Sequence, residues 1–219
     1  MKPYPSYAPS KVPWLGDVPN HWKVERIRFR ATLNPGASKQ LDANACVSFL
    51  PMEDIGEDGV LRLERVRAVE EVSSGYTYFE EGDVAVAKIT PCFENGKGAV
   101  MRGLRGDVGF GTTELIVMRP AESVASKWLY YLTMCQVFRS PGEAMMLGAG
   151  GQKRVPDLFV KDYAAAFPSI DEQHAIAEYL ETETARIDEL VREKEGLVGL
   201  LDEARGSFIS GLLSGDALV

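Results

Sequence analysis

"SIDEQHAIAEYLETETARIDELVREKEGLVGLLDEARGSFISGLLSG", Ser169 to Gly215, sets the architecture of the chain. Steps of four, three, four and three from Ile176 select Ile176, Leu180, Glu183, Ile187, Leu190, Lys194, Leu197, Leu201, Ala204 and Phe208. All but Glu183 and Lys194 are apolar, and a seam of that period marks a coiled-coil-like helix. Ser169 or Asp171 can cap its start. At 1.5 Å per residue, roughly 40 residues reach about 60 Å. A helix of that length cannot lie wholly on one small domain, so it should seek another helix. Gly196, Gly199, Gly206 and Gly211 weaken it or let a partner backbone approach. The competing reading is a helical hairpin broken near Gly196 or Gly199.

Before this helix the pattern changes. The opening segment, with Pro5, Pro9, Pro13 and Pro19 among Tyr4, Tyr7, Trp14 and Trp22, excludes a long helix. Trp14, Leu15, Val18 and Trp22 carry enough apolar surface to predict an extended arm packed on the body. "WKVERIRF", Trp22 to Phe29, suits a strand or a short helix. Four short strands are predicted over Cys46–Met52, Gly82–Ile89, Lys97–Arg102 and Glu114–Arg119. Turn signals at Gly56 to Gly59, Gly75, Glu94 to Gly96 and Gly103 to Gly111 separate them, and Pro120 closes the strand region. "SVASKWLYYLTMCQVFRS", Ser123 to Ser140, predicts one amphipathic helix with Ser123 as N-cap. Gly142 to Leu147 can add a short helix. The fold class is therefore α+β. A mixed α/β domain over residues 1–168 is followed by one long helix and a short tail over residues 169–219.

Composition narrows the function. The chain has 219 residues and a net charge of −8. From Asp171 onward there are 12 acidic and 4 basic residues; the remainder holds 20 of each, so the entire negative excess lies on the helical part. The balanced domain permits a local basic face. No window has the 18 or more apolar residues of a membrane span, and the start has no apolar signal region, so a cytoplasmic protein is expected. Cys46, Cys92 and Cys135 form no close pair and are read as reduced, mostly buried thiols.

Catalytic signatures are missing. His21 and His174 are the only histidines and no cysteine joins them at ligand spacing, so no metal site is expected. There is no nucleophile elbow. The glycine-rich stretch "MLGAGGQKRVPDL", Met146 to Leu158, lacks the ending of a P-loop and the spacing of a dinucleotide fingerprint. Two readings of it stay open: a grip on nucleic-acid phosphates through Gln152, Lys153 and Arg154, or a surface turn with solvated charges. Other polar groups sit where strands end: Lys88, Lys97, Arg102, Arg105, Thr112, Thr113 and Glu114. Cations on loops held by a sheet suit phosphates, and Thr, Gln and Glu can read base edges. Glu114 has a structural alternative too, pairing with Lys88 or with a backbone amide. The chain reads as a binding protein, not a catalyst.

The segments "SYAPSKVPWLGDVPNHWKVERIR", "GDVAVAKITPCFENGKGA", "FGTTELIVMRP", "GQKRVP" and "FPSIDEQHAIAEYLETETARIDELV" follow one another along nearly the whole chain. Together they resemble the specificity subunits of type I restriction-modification enzymes. The most specific parts are Pro168 to Ile176 and Gly82 to Lys88; His174 stands where the family usually has Arg. The resemblance implies a target-recognition domain that binds double-stranded DNA. It also implies a helix that sets the distance between two half-sites, and modification subunits that bring adenine N6-methyltransferase chemistry with S-adenosylmethionine. A restriction subunit can complete such a system. This chain itself is expected to hold no cofactor. Family members usually carry two recognition domains and two antiparallel helices; this sequence carries one of each. Pairing of Ile176, Leu180, Ile187, Leu190, Leu197, Leu201 and Phe208 with a second copy would rebuild the symmetric form and read a bipartite site. The rival expectation is a remnant or antagonist that binds modification subunits through its helix without reading DNA.

Overall fold

The computed structural model describes residues 3–149 and 151–215. In chain order the elements are β1 (Tyr7–Pro9), β2 (Asp17–Pro19), β3 (Lys23–Arg26), β4 (Ala31–Leu33), β5 (Cys46–Leu50), β6 (Val66–Ala68), α1 (Val69–Val72), β7 (Thr77–Glu80) and β8 (Val84–Ala87). They continue with β9 (Gly98–Val100), β10 (Val108–Gly111), β11 (Leu115–Pro120), α2 (Ser126–Met134), α3 (Gln136–Ala144), α4 (Asp157–Asp162), β12 (Ala164–Phe167) and α5 (Ile170–Ser214). The chain divides into two compact units, Met1–His174 and Ala175–Val219, with α5 starting in the first and supplying the second.

Two four-stranded sheets build the first unit, in the orders β4-β11-β8-β9 and β6-β5-β10-β7. Strand β8, "VAVA", is buried throughout. Its period-two alternation sends Val84 and Val86 into a cluster with Ile116, Met118, Leu129, Phe138 and Val160 of β11 and helices α2 to α4. The alternate residue Ala85 joins Leu50, Ile55, Phe79 and Leu115, from between the two sheets. A third cluster, Val47, Val69, Val72, Val108 and Phe110, lies on the other side of the second sheet. Both faces of β8 are thus covered, which a short all-apolar strand requires.

The α+β class and the long helix stand as expected, and the structure corrects several local expectations. Gly103 to Gly111 is not only turn, because Val108–Gly111 forms β10, parallel to β5 and antiparallel to β7. Its glycines serve packing: a Cβ on Gly109 would sit 2.4 Å from the Phe79 ring. Strands do not end at Pro120, since β12 pairs with β3 after the helices. The single helix over Ser123 to Ser140 is two helices, broken at Cys135 in extended conformation (φ −64°, ψ 140°). Its N-cap is Ala125, not Ser123, whose hydroxyl instead accepts from Arg30 Nη1 at 3.1 Å. The short helix at Gly142 is the end of α3, which contains Pro141. That proline lacks the N–H that would bond the Val137 carbonyl, and the Tyr163 hydroxyl donates to it instead at 3.0 Å. The thiols are not mostly buried: Cys46 and Cys135 are exposed and Cys92 is half-buried.

The opening segment is more ordered than an extended arm, because β1 and β2 pair as a hairpin. It does dock as the aromatics predict: Trp14 stacks on Tyr163 and donates to the Ala164 carbonyl at 3.3 Å. "WKVERIRF" divides into β3 and a single 3-10 turn over Ile27–Phe29.

Helix α5 runs 45 residues without a break, which excludes the hairpin alternative; its length is about 67 Å. Ser169 precedes it, with Oγ 3.4 Å from the Glu172 amide, and Asp171 and Glu172 suit its positive end. Ile176 and Leu180 are half-buried, whereas Ile187, Leu190, Leu197, Leu201 and Phe208 are exposed. Gly150 and the expected tail at 216–219 lie outside the described residues.

Candidate nucleic-acid interface

Register brings most of the expected polar residues to one end of the first sheet. Leu115 pairs with Ala87, and Val86 with Gly98, so Glu114, Lys88 and Lys97 follow at the same edge. The Lys88 amide donates to the Glu114 carbonyl at 2.8 Å. Thr112 arrives there from the end of β10; its amide donates to the Leu50 carbonyl at 3.1 Å, and its hydroxyl accepts from the Glu114 amide at 3.2 Å. Lys97 Nζ donates to the Met52 carbonyl at 3.3 Å. Thr113 is exposed.

The glycine-rich stretch forms a hairpin at this same edge. Leu147 and Arg154 exchange backbone hydrogen bonds of 3.0 and 2.8 Å, and the returning strand continues the sheet through Thr90 N to Lys153 O at 3.0 Å and Val155 N to Lys88 O at 2.8 Å. Gly148 turns with φ +139°, and a Cβ there would lie 2.5 Å from the Gln152 carbonyl oxygen, so the tip needs glycine. Gln152 and Lys153 project as exposed side chains from a tip that a rigid sheet holds. Beside it a cavity of about 590 Å³ is lined by Thr90, Glu94, Ser140, Glu143, Met146 and Lys153.

Arg154 has a different place from Lys153. Its Nε and Nη2 donate to the two Glu114 carboxylate oxygens at 2.8 and 2.6 Å. These charge-assisted bonds form a two-pronged clamp between hairpin and sheet. Hydrogen bonding from Arg154 holds the Glu114 carboxyl below the usual range, helped by the charge of Lys88. Glu114 is thus partnered by a guanidinium across 40 residues of sequence. The geometry gives Arg154 a positioning task and leaves the neighbouring Lys153 exposed.

Arg102 and Arg105 lie at the opposite end of the sheet, beyond the Val84–Val100 pair. There the Gly103 and Leu104 amides each donate to the Glu81 carboxylate at 3.0 Å, and the Arg105 amide donates to Ser48 Oγ at 2.9 Å. Asp83 of "GDVAVAK" is also at this end, buried and gripped by Arg119 through two bonds of 2.9 Å.

Two residues of the "DEQ" segment are structural anchors that the spacing did not reveal. Gln173 is fully buried; its Oε1 accepts from the Ala125 amide at 2.9 Å, and its Nε2 donates to the Ser123 and Pro168 carbonyls at 3.0 Å each. It supplies the cap that no side chain of α2 provides. Glu172 accepts from Trp22 Nε1 at 3.2 Å and lies 3.1 Å from His21 Nε2. Tyr4 is held there too, its hydroxyl pKa pushed up to about 12 by burial and then by Glu172. For Glu172 burial pushes the carboxyl up, but the bonds from Tyr4, His21 and Trp22 together outweigh it and hold the carboxyl below its ordinary value. A depressed carboxylate stabilises above its unfolded pKa of about 4.3 and loses that contribution as pH falls through the folded value. The opening segment should therefore loosen below about pH 4, read as a change in tryptophan fluorescence. Glu172→Gln should show the loosened signal at pH 7 and a flatter acid profile.

Among the described residues no group of three or more His, Cys, Asp or Glu side chains could hold a metal ion. Among them too, no helix is long and apolar enough to cross a membrane.

No family model matches the chain. The specificity subunit of the type I restriction enzyme EcoAI, from Escherichia coli, is 37% identical over 179 residues, 80% of this chain and 30% of that protein. The EcoEI specificity subunit, also from Escherichia coli, is 42% identical over 163 residues, 73% of this chain and 27% of that protein. The chain therefore spans less than a third of the curated relatives it matches. Among solved structures, a chain from the type I R-M system superposes with a TM-score of 0.66 at 16% identity, over 90% of this chain and 46% of that one. The HsdS subunit from Thermoanaerobacter tengcongensis gives 0.63 at 18% identity, over 80% and 45%. The fold is shared with these structures, and the relatives are specificity subunits, the family that the motifs resemble.

Proposed function

We propose that this chain is the DNA-reading half of a type I restriction-modification specificity subunit, without catalysis of its own. The observation that carries this reading is the likeness to specificity subunits over 80% of the chain. The arrangement of one recognition unit and one long helix with an exposed apolar seam supports it. The recognition unit would bind double-stranded DNA through the edge that bears Lys88, Lys97, Thr112, Thr113, Glu114 and the hairpin. Methyltransferase subunits would bind beside it and bring S-adenosylmethionine and the adenine N6 chemistry. Two copies joined through α5 would present two recognition units to a bipartite site.

The chemistry at the edge divides the labour. Lys153 and Gln152 are exposed on the tip and suit a phosphate or a base edge, whereas Arg154 spends its fork on Glu114. Lys153→Ala should weaken binding about equally on all DNA sequences and reduce the slope of log affinity against log salt by about one. Titrations at several salt concentrations check this. The decisive experiment is a methylation map: the chain is co-expressed with a type I modification subunit in a host without other adenine methylation, and N6-methyladenine is located across the genome. A two-part motif supports the reading. No methylation with a verified active partner refutes it and favours the antagonist, as would Lys153→Glu/Arg154→Glu leaving DNA affinity unchanged.

A further inference from the structure

We infer that two copies of α5, antiparallel as the paired helices of the family are, meet in one register, with a twofold axis between Asp188 and Glu189. The inference rests on the self-pairing proposed above and adds the register and the residues that fix it.

The seam has two polar members, Glu183 and Lys194, at a time when twelve large apolar side chains of the helix are exposed around them. Arg205 pairs with Asp202 at 3.1 Å further along the helix, and among the described residues neither Glu183 nor Lys194 takes part in an ion pair. Glu183 and Lys194 are therefore available to a partner. In a parallel, in-register pair each would face its own copy, Glu183 against Glu183 and Lys194 against Lys194, and like charges would meet in the seam.

Antiparallel pairing reverses this. Opposite seam residues then have numbers of constant sum, and one sum sets Glu183 against Lys194 of the second copy. The same sum sets Ile187 against Leu190, Leu180 against Leu197 and Ile176 against Leu201. Every apolar seam residue in that stretch meets an apolar one, and the two charges meet each other, twice by symmetry. Sliding by one heptad either way sets Glu183 against Ile187 or Leu201, and Lys194 against Ile176 or Leu190, so each charge faces an aliphatic side chain without a partner. The flanking positions agree. Beside the seam, antiparallel helices bring Arg186 close to Glu193 of the other copy, and Tyr179 close to Leu200. Tyr179 and Leu200 are both exposed in the single chain.

Charge exchange in the full chain tests the register, with self-association followed by sedimentation. Glu183→Lys and Lys194→Glu should each raise the dimer dissociation constant about a hundredfold, by replacing two attractions with two repulsions. The double exchange should restore it to within a few-fold of the parent. An equimolar mixture of the two single variants should form mixed dimers in preference to either homodimer. If both single variants dimerise like the parent while Leu190→Asp does not, the chain self-pairs but in another register. If the parent is monomeric at tens of micromolar, the self-pairing reading itself is lost, register included.

Discussion

Leu190→Asp should leave the recognition unit folded and make the chain monomeric at concentrations where the parent is a dimer. In the single chain Leu190 is exposed, 49% accessible, so a carboxylate there is solvated. Its cost is a fraction of a kcal/mol of helix propensity. In the proposed dimer the same substitution enters twice, each time against Ile187. An unpaired buried charge costs about 3–5 kcal/mol, and two remove the dimer. The consequence for DNA is larger than the loss of contacts. A second recognition unit tethered to the first acts at high effective concentration, worth roughly a factor of 10² to 10⁴ in affinity for a two-part site. Sedimentation and binding to duplexes with one or both half-sites check the two parts: affinity should fall by that factor on the bipartite duplex and little on the half-site duplex. Unchanged bipartite affinity in a monomeric variant would show that one copy reads the site alone.

Gln173→Ala should destabilise the recognition unit strongly, although the residue is polar. The side chain has no exposure and makes three hydrogen bonds, to the Ala125 amide and the Ser123 and Pro168 carbonyls. Each bond contributes about 1 kcal/mol, and its loss leaves a buried backbone group without a partner at a further 1–3 kcal/mol. A total near 4 kcal/mol, after partial relaxation, lowers the melting temperature by roughly 10 °C in a chain of this size. Calorimetry measures it. The effect should persist in the Leu190→Asp background, because the bonds lie within one chain; a change below about 1 kcal/mol would mean that water replaces the amide.

What was legible in the sequence was local. The 4-3 spacing of α5 and the alternation of "VAVA" are written in neighbouring residues, and both elements form there. Strand β10 was not legible because its glycines, elsewhere a turn signal, here admit the Phe79 ring. The break at Cys135 was not legible because neither glycine nor proline marks it; Pro141 lies further along, inside α3. At the candidate site the sequence named Glu114 and Arg154 separately. Their clamp joins positions 40 apart, and only the register of the sheet brings them together. The same distance problem hid Gln173, two of whose three partners lie 48 and 50 residues earlier. Arg102 and Arg105 were grouped with Lys88 and Lys97 by composition, and strand direction separates them.

The exposed stripe on α5 also bears on how a cell would keep this chain. Phe208, Leu201, Leu200 and Leu213 are each more than 60% accessible in the single copy. An apolar surface of this kind is what holding chaperones and processive proteases engage. On the proposed pairing, a newly made copy without a mate would be open to disposal through the same residues that join it to one. On that pairing its steady-state level would be set by assembly more than by synthesis, and surplus copies would be cleared before occupying DNA on their own.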